Sequence, residues 1–276
     1  MSEMTDATGG PRPLSARSVI ATSLLGAAVA EVRAAHLVRA GALFGIAEGA
    51  MRTALWRMAA DGEVVANDGW YRLAGRLLER KDRVDEGQDP VREPWDGTWE
   101  LAVVAAERRP ASERLALRSA AVALHLGEVR EGTWARPANL PADRLPAQQA
   151  VLDAQCLRFT GATAPEGLGA RIFDLDGWST RACDLVAAMD ATDPARPALT
   201  PAAGPGADGG DAPVDPAALA AAFTLAVAVV RHLQADPLLP DELLPADWPG
   251  AALRSRYVAY DQAYKQRFTA WLLAEG

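Results

Sequence analysis

A chain of 276 residues, half of them hydrophobic, can bury a core and has room for two or three domains. Two cysteines, Cys156 and Cys183, and three histidines, His36, His125 and His232, fit no zinc pattern, and no apolar stretch long enough to span a membrane is free of charge. The net charge of −8 speaks against a nucleic-acid partner, but it is unevenly placed: residues 11–83 carry eleven Lys/Arg against seven Asp/Glu, and residues 84–276 carry seventeen against twenty-seven. A basic module on an acidic body is what a phosphate backbone selects for at one end only, because the attraction is screened within about 8 Å.

Residues 1–13 are polar and acidic and are expected to be disordered. They lack the basic residues and apolar run of a secretory signal, so a cytoplasmic address is expected. Ser15 can cap a helix from Ala16 to about Ala28, with Val19, Ile20, Leu24 and Leu25 facing inward. A second helix covers about Ala34 to Leu43. A third, Ala47 to Ala60, places Met51, Ala54, Leu55 and Met58 on one face and Gly49, Thr53, Trp56 and Ala60 on the other, flanked by Arg52 and Arg57. It should close near Asp61-Gly62, where glycine accepts a left-handed conformation. Two β-prone runs on either side of Asn67-Asp68-Gly69 then read as a hairpin, Glu63 to Leu73. Helix, turn, helix and hairpin together have the shape of a winged helix-turn-helix, although helix-turn-helix patterns are weak in isolation.

From Ala74 to Glu93 the charged sequence reads as a short helix and a linker. Strand character begins at Trp99 to Val104, and a helix over about Ala111 to Leu126 has Leu115, Leu117, Val122 and Leu124 as apolar positions. Short strands Glu128 to Arg130 and Thr133 to Arg136, then Cys156 to Gly161, complete a β-α-β-β-α-β unit. Residues 164–190 form another helical stretch anchored by Phe173, Leu175, Trp178 and Leu185. The Pro/Gly-dense segment between Ala191 and Pro216 reads as a flexible loop. A helix then restarts over Ala217 to Val230, buried on most sides. Prolines punctuate Asp236 to Gly250 and hold Trp248 in one place. The last helix, Ala251 to Leu273, carries Leu253, Tyr257, Tyr260, Tyr264, Phe268 and Trp271 at near-heptad spacing, a core or dimer seam.

The run Phe44 to Met58 with its Gly69-Trp70-Tyr71-Arg72-Leu73 wing resembles the N-terminal domain of PaaX-type repressors, which regulate phenylacetate degradation and related aromatic catabolism. The run from Asp236 to Gly250 is very similar to a segment that precedes the last helix in that family. Trp95-Asp96-Gly97-Thr98-Trp99 matches a motif that opens its central, Cas2-like domain. The resemblance implies an α+β protein of three parts: a winged helix-turn-helix (14–92), a ferredoxin-like domain (94–163) and a mainly helical C-terminal domain for effector binding and dimerisation (164–276). It also implies a homodimeric repressor of double-stranded operator DNA, released by a small molecule such as an acyl-coenzyme A thioester. On the wheel, Arg52, Thr53, Trp56 and Arg57 are the candidates for the major groove, and Arg17 and Arg72 for phosphate contacts. Arg231, Arg254 and Arg256, with Trp248 and Tyr257, are the candidate ligand residues. Val227, Val229 and Val230 stand where family members carry polar residues, which favours a hydrophobic or aromatic metabolite as readily as a thioester. Alternatives are a Cas2-like nucleic-acid enzyme and a winged-helix module that binds protein. The first requires an Asp at the end of the first strand, and Val103-Val104-Ala105 lacks one, so no catalytic residue, metal ligand or cofactor is assigned.

Overall fold

The computed structural model describes residues 14–27, 31–105, 108–192 and 215–273. Both the N-terminal segment expected to be disordered and most of the Pro/Gly-dense segment fall outside these residues. The chain divides into two compact units, one of residues 1–81, 192–227 and 260–276, the other of residues 82–191 and 228–259.

The first unit begins with α1 (Ala16–Leu25), whose cap forms as expected: the Ser15 side chain accepts a hydrogen bond from the Ser18 backbone N–H at 3.2 Å. The helix ends at Leu25, three residues before the expected limit, with Gly26 as its C-cap. α2 (Ala34–Ala42) and α3 (Glu48–Ala60) follow, with Gly45 between them at positive φ. Val19, Ile20, Leu24, Leu37, Val38, Met51, Leu55 and Met58 form one core. Burial of each large side chain is worth about 1.5 to 3 kcal/mol. Ala54, expected inside, is only partly buried.

The hairpin is β2 (Val64–Asn67) and β3 (Trp70–Leu73), joined by Asp68 and Gly69, both at positive φ, as a two-residue primed turn requires. A third strand went unseen in the sequence. β1 (Val32–Arg33) pairs antiparallel with β3, giving the order β1-β3-β2. Two residues are too few to show alternation, so only the pairing reveals it. The end of α10 (Gly250–Leu273) closes this unit: Phe268 packs on the core, and Arg39 donates to the backbone oxygens of Trp271 and Leu272 at 2.8 Å each.

The second unit holds a four-stranded antiparallel sheet of β4 (Trp99–Val104), β5 (Gly127–Arg130), β6 (Thr133–Pro137) and β7 (Cys156–Ala162), in the order β5-β6-β4-β7. With α5 (Ala111–Ala123) and α6 (Pro146–Asp153) this is the expected β-α-β-β-α-β, ferredoxin-like arrangement. Its core is Ala102, Leu117, Ala121, Leu124, Leu126, Trp134, Leu145, Leu152 and Cys156. Two expected core residues of α5 are instead exposed, Leu115 at 66% and Val122 at 60%. The small residues Ala120 and Ala121 face inward, because close packing against the sheet uses the stripe through Leu117 and Leu124.

α4 (Gly75–Gln88) is longer than the short helix expected, and α7 (Leu168–Ile172) and α8 (Leu175–Ala191) fill the next stretch. α9 (Pro216–Gln234) is less enclosed than expected: Leu219, Ala222, Phe223, Val229 and Leu233 are buried, and the other apolar positions are partly or fully open. Its span Pro216–Leu233 is long and apolar enough to cross a membrane, and Arg231 is the charge within it. In α10, Leu253, Tyr257, Tyr260 and Tyr264 are buried, so the near-heptad stripe is core within each unit.

Candidate nucleic-acid interface

α3 turns one face to the core through Met51, Leu55 and Met58, which leaves the opposite face bare. Trp56 on that face is 69% exposed. An indole left in water by a folded domain is unusual, because covering it would add substantially to stability. Arg57 is also exposed. Arg52 is already engaged, donating from Nε and Nη2 to Glu48 Oε1 one turn back at 2.8 and 2.6 Å. The Thr53 hydroxyl donates to the Gly49 carbonyl at 2.8 Å. Thus the structure brings all four candidate groove residues onto one surface, two of them with local partners.

The wing adds a second surface. Register sets Val65 opposite Arg72 and Asn67 opposite Trp70, and all four are exposed, while Val64 is buried and Tyr71 and Leu73 pack partly into the core. Arg33 of β1 pairs with Trp70, and its guanidinium lies 4.7 Å from the Trp70 ring centroid. This pair was missed in the sequence because Arg33 belongs to the unseen strand. A cation held over an indole keeps its charge and loses freedom, which suits a phosphate contact.

Arg17 sits elsewhere in the chemistry of this unit. It donates from Nε and Nη2 to Glu63 at 2.9 and 2.6 Å, and Arg76 donates to the same carboxylate at 2.9 Å. Glu63 itself is 3% exposed. The Arg17 hydrogen bonds hold the Glu63 carboxyl below the usual carboxylate range against the opposing effect of burial. Arg17 therefore anchors the start of the wing to α1, and half of its side chain stays open to solvent.

The candidate ligand residues all fall in the second unit. Arg254 donates to Asp236 at 2.8 Å and to the Gly87 carbonyl at 3.0 Å; Arg256 donates to Asp190 at 2.7 Å and to the Met189 carbonyl. Tyr257 is buried, and Arg231 is exposed. Trp178 stacks with Trp248, centroids 4.4 Å apart, and with His232 at 4.5 Å. The Trp178 indole donates to the His232 carbonyl at 3.1 Å, and the His232 ring Nε2 lies 3.0 Å from the Trp178 carbonyl, which makes Nε2 the protonated nitrogen. Burial lowers the His232 pKa. The proline-rich segment thus fixes Trp248 as the sequence implied, but against protein rings.

Three family models match the chain: "PaaX-like protein" over residues 15–77, "PaaX protein central Cas2-like domain" over 92–165, and "PaaX-like protein C-terminal domain" over 210–273. Among solved structures the chain is similar to "Uncharacterized protein Rv0674 from Mycobacterium tuberculosis", with 37% identity, 94% of this chain and 99% of that one covered, and a TM-score of 0.67. No curated protein matches.

Proposed function

Since the chain belongs to the PaaX-like family of DNA-binding transcriptional regulators, we propose that it is a repressor that binds double-stranded operator DNA as a homodimer, has no enzymatic activity, and is released by a small-molecule effector. The observation that carries this reading is the bare outer face of α3 beside an exposed wing: Trp56 and Arg57 on the helix, Arg33, Trp70 and Arg72 on the sheet. Arg57 offers guanine a bidentate donor pair, and Trp56 offers a thymine methyl an apolar surface. Arg33 and Arg72 set register on the phosphates. Arg52 reaches a base by exchanging its Glu48 partner, at small penalty because an exposed pair contributes about 0.2 to 1 kcal/mol. Arg17 contacts phosphate with the open part of its side chain.

For the effector, the candidate set is Arg231, Trp248, Arg254, Arg256 and Tyr257. Arg254 and Arg256 already hold carboxylates, and the Val227 to Val230 stretch of α9 is apolar. An apolar aromatic metabolite therefore suits these residues at least as well as an acyl-coenzyme A, whose phosphates require cations of their own. A gel-shift experiment with the DNA upstream of the gene tests the first part: specific retardation that survives competitor DNA is expected, and cleavage of the probe or no retardation overturns it. Adding acyl-coenzyme A esters and free aromatic acids to the retarded complex tests the second, with release by at least one compound expected.

A further inference from the structure

The first turn of α3 stands clear of the domain that carries it. Every residue from Ala47 to Ala50 is exposed, and the first buried residue of the helix is Met51. Gly49 lies in this turn without a positive φ, and a Cβ added there would meet nothing within 4 Å outside its own helix. Glycine is less favourable than alanine in a helix, because it loses more backbone freedom on folding. Neither conformation nor packing within the unit asks for glycine here. What a missing side chain leaves room for on an open helix surface is the close approach of another molecule.

Glu48 is the single acid of α3, and it sits in the same turn. Its Oε1 accepts both Arg52 bonds, and the two side chains are 63% and 61% exposed. The ordinary account of such a pair is local: an acid in the first turn suits the helix dipole, and a partner four residues on adds to helix stability. That account covers the helix alone. On a face that meets DNA, the same carboxylate repels phosphate and competes with the bases for Arg52.

We infer, on the reading of α3 as the helix that enters the major groove, that Glu48 is a specificity-determining residue, which selects a cytosine close to the guanine read by Arg52. In helix-turn-helix proteins the N-terminal residues of this helix reach the base edges, and Glu48, Gly49 and Arg52 occupy that end of α3. When Arg52 moves to the O6 and N7 of a guanine, Glu48 loses its cation and needs another donor. In the major groove cytosine alone offers a donor, its N4 amino group, with no acceptor beside it. Guanine and thymine offer acceptors, and adenine sets N7 next to N6. Cytosine therefore satisfies the freed carboxylate, and any other base leaves it unpaired or repelled. One helical turn rises about 5.4 Å and a base-pair step about 3.4 Å, so the cytosine falls one or two steps from the guanine. The open surface at Gly49 lets the turn come close enough for Glu48 to reach it.

Selection from a pool of duplexes with a randomised centre, by the full-length parent, Glu48→Ala and Glu48→Gln, tests this, with anisotropy titrations on the selected duplexes. The parent is expected to enrich a motif with a cytosine one or two steps from a guanine, and to lose about tenfold in affinity when the cytosine is replaced. Glu48→Ala is expected to tolerate that replacement within about twofold and to bind all duplexes more tightly, since a negative charge is gone. Glu48→Gln should move the preference to adenine, whose N6 and N7 a glutamine fits. Gly49→Ala is expected to raise the melting temperature yet weaken the selected duplex several-fold; a purely structural glycine would not give these opposite signs. A parent that enriches no motif overturns the DNA-binding reading and this inference with it. A parent motif without that cytosine, or one shared unchanged by both Glu48 variants, overturns this inference and leaves the DNA-binding reading standing.

Discussion

Glu63 shows how one buried carboxylate ties the start of the wing to α1. Because Arg17 and Arg76 lower its pKa in the folded state, the ionised pair contributes stability above the ordinary carboxylate pKa of about 4.3, and that contribution is lost as the pH falls through the lower folded value. The melting temperature of the parent is therefore expected to drop on acidification below about pH 4.3, and Glu63→Gln to lose that part of the slope. At neutral pH the same substitution should destabilise the fold by about 1 to 3 kcal/mol; a Gln variant with the parent's full acid sensitivity would show that the carboxylate lies elsewhere. On the outer face of α3, Arg57→Ala is expected to weaken operator binding by about 1 to 3 kcal/mol with an unchanged circular dichroism spectrum. Arg52→Ala should weaken it less, because its guanidinium must first leave Glu48. Equal affinities for the parent and the Arg57 variant in a fluorescence anisotropy titration would mean that this face is not the reader.

At the scale of elements, the contact of α2 with α3 rests on a missing side chain. A Cβ at Gly41 would come within 2.5 Å of Met51 Cγ, and Met51 is wholly buried, so the two helices approach as closely as glycine allows. Gly41→Ala is expected to destabilise the protein by about 1 to 3 kcal/mol through overpacking. Combining it with Met51→Ala should recover part of that loss, since the thioether that clashes is gone; strictly additive losses in denaturant titrations would refute the contact. The wing has a comparable requirement at Asp68 and Gly69, which both adopt positive φ between strands whose register is fixed at four residue pairs. One face of that hairpin belongs to the core and the other to solvent, and a slip of one residue would exchange them.

For the whole molecule, charge and symmetry set the expectations. A positive N-terminal stretch on a chain of net charge −8 should bind DNA through few phosphate contacts. The logarithm of affinity is then expected to fall linearly with the logarithm of salt concentration, and Arg72→Ala to reduce that slope by about one unit while weakening all sequences alike. A palindromic operator with half-sites about 34 to 36 Å apart requires a two-fold protein. Sedimentation of the full chain at micromolar concentration is expected to give a dimer, and a monomer both alone and on operator DNA would exclude the palindromic reading.

Much of this molecule was legible before folding because its signals are local. The Ser15 cap, the inward face of α3, the Asp68-Gly69 turn and the span of β4 each depend on a few consecutive residues whose φ preferences or spacing decide the matter. The family resemblance likewise lay in short runs, Phe44 to Met58 and Asp236 to Gly250. Tertiary structure decided what depends on distant partners. Periodicity alone placed Leu115 and Val122 inside, and packing against the sheet turned α5 so that they face water. A two-residue strand, β1, exists only because β3 lies beside it, and with it came Arg33 over Trp70. Arginines 136, 144 and 158 carry no common pattern in the chain. Strand register and the loop before α6 bring them together, because proximity across a sheet is fixed by pairing between segments and not by spacing within one.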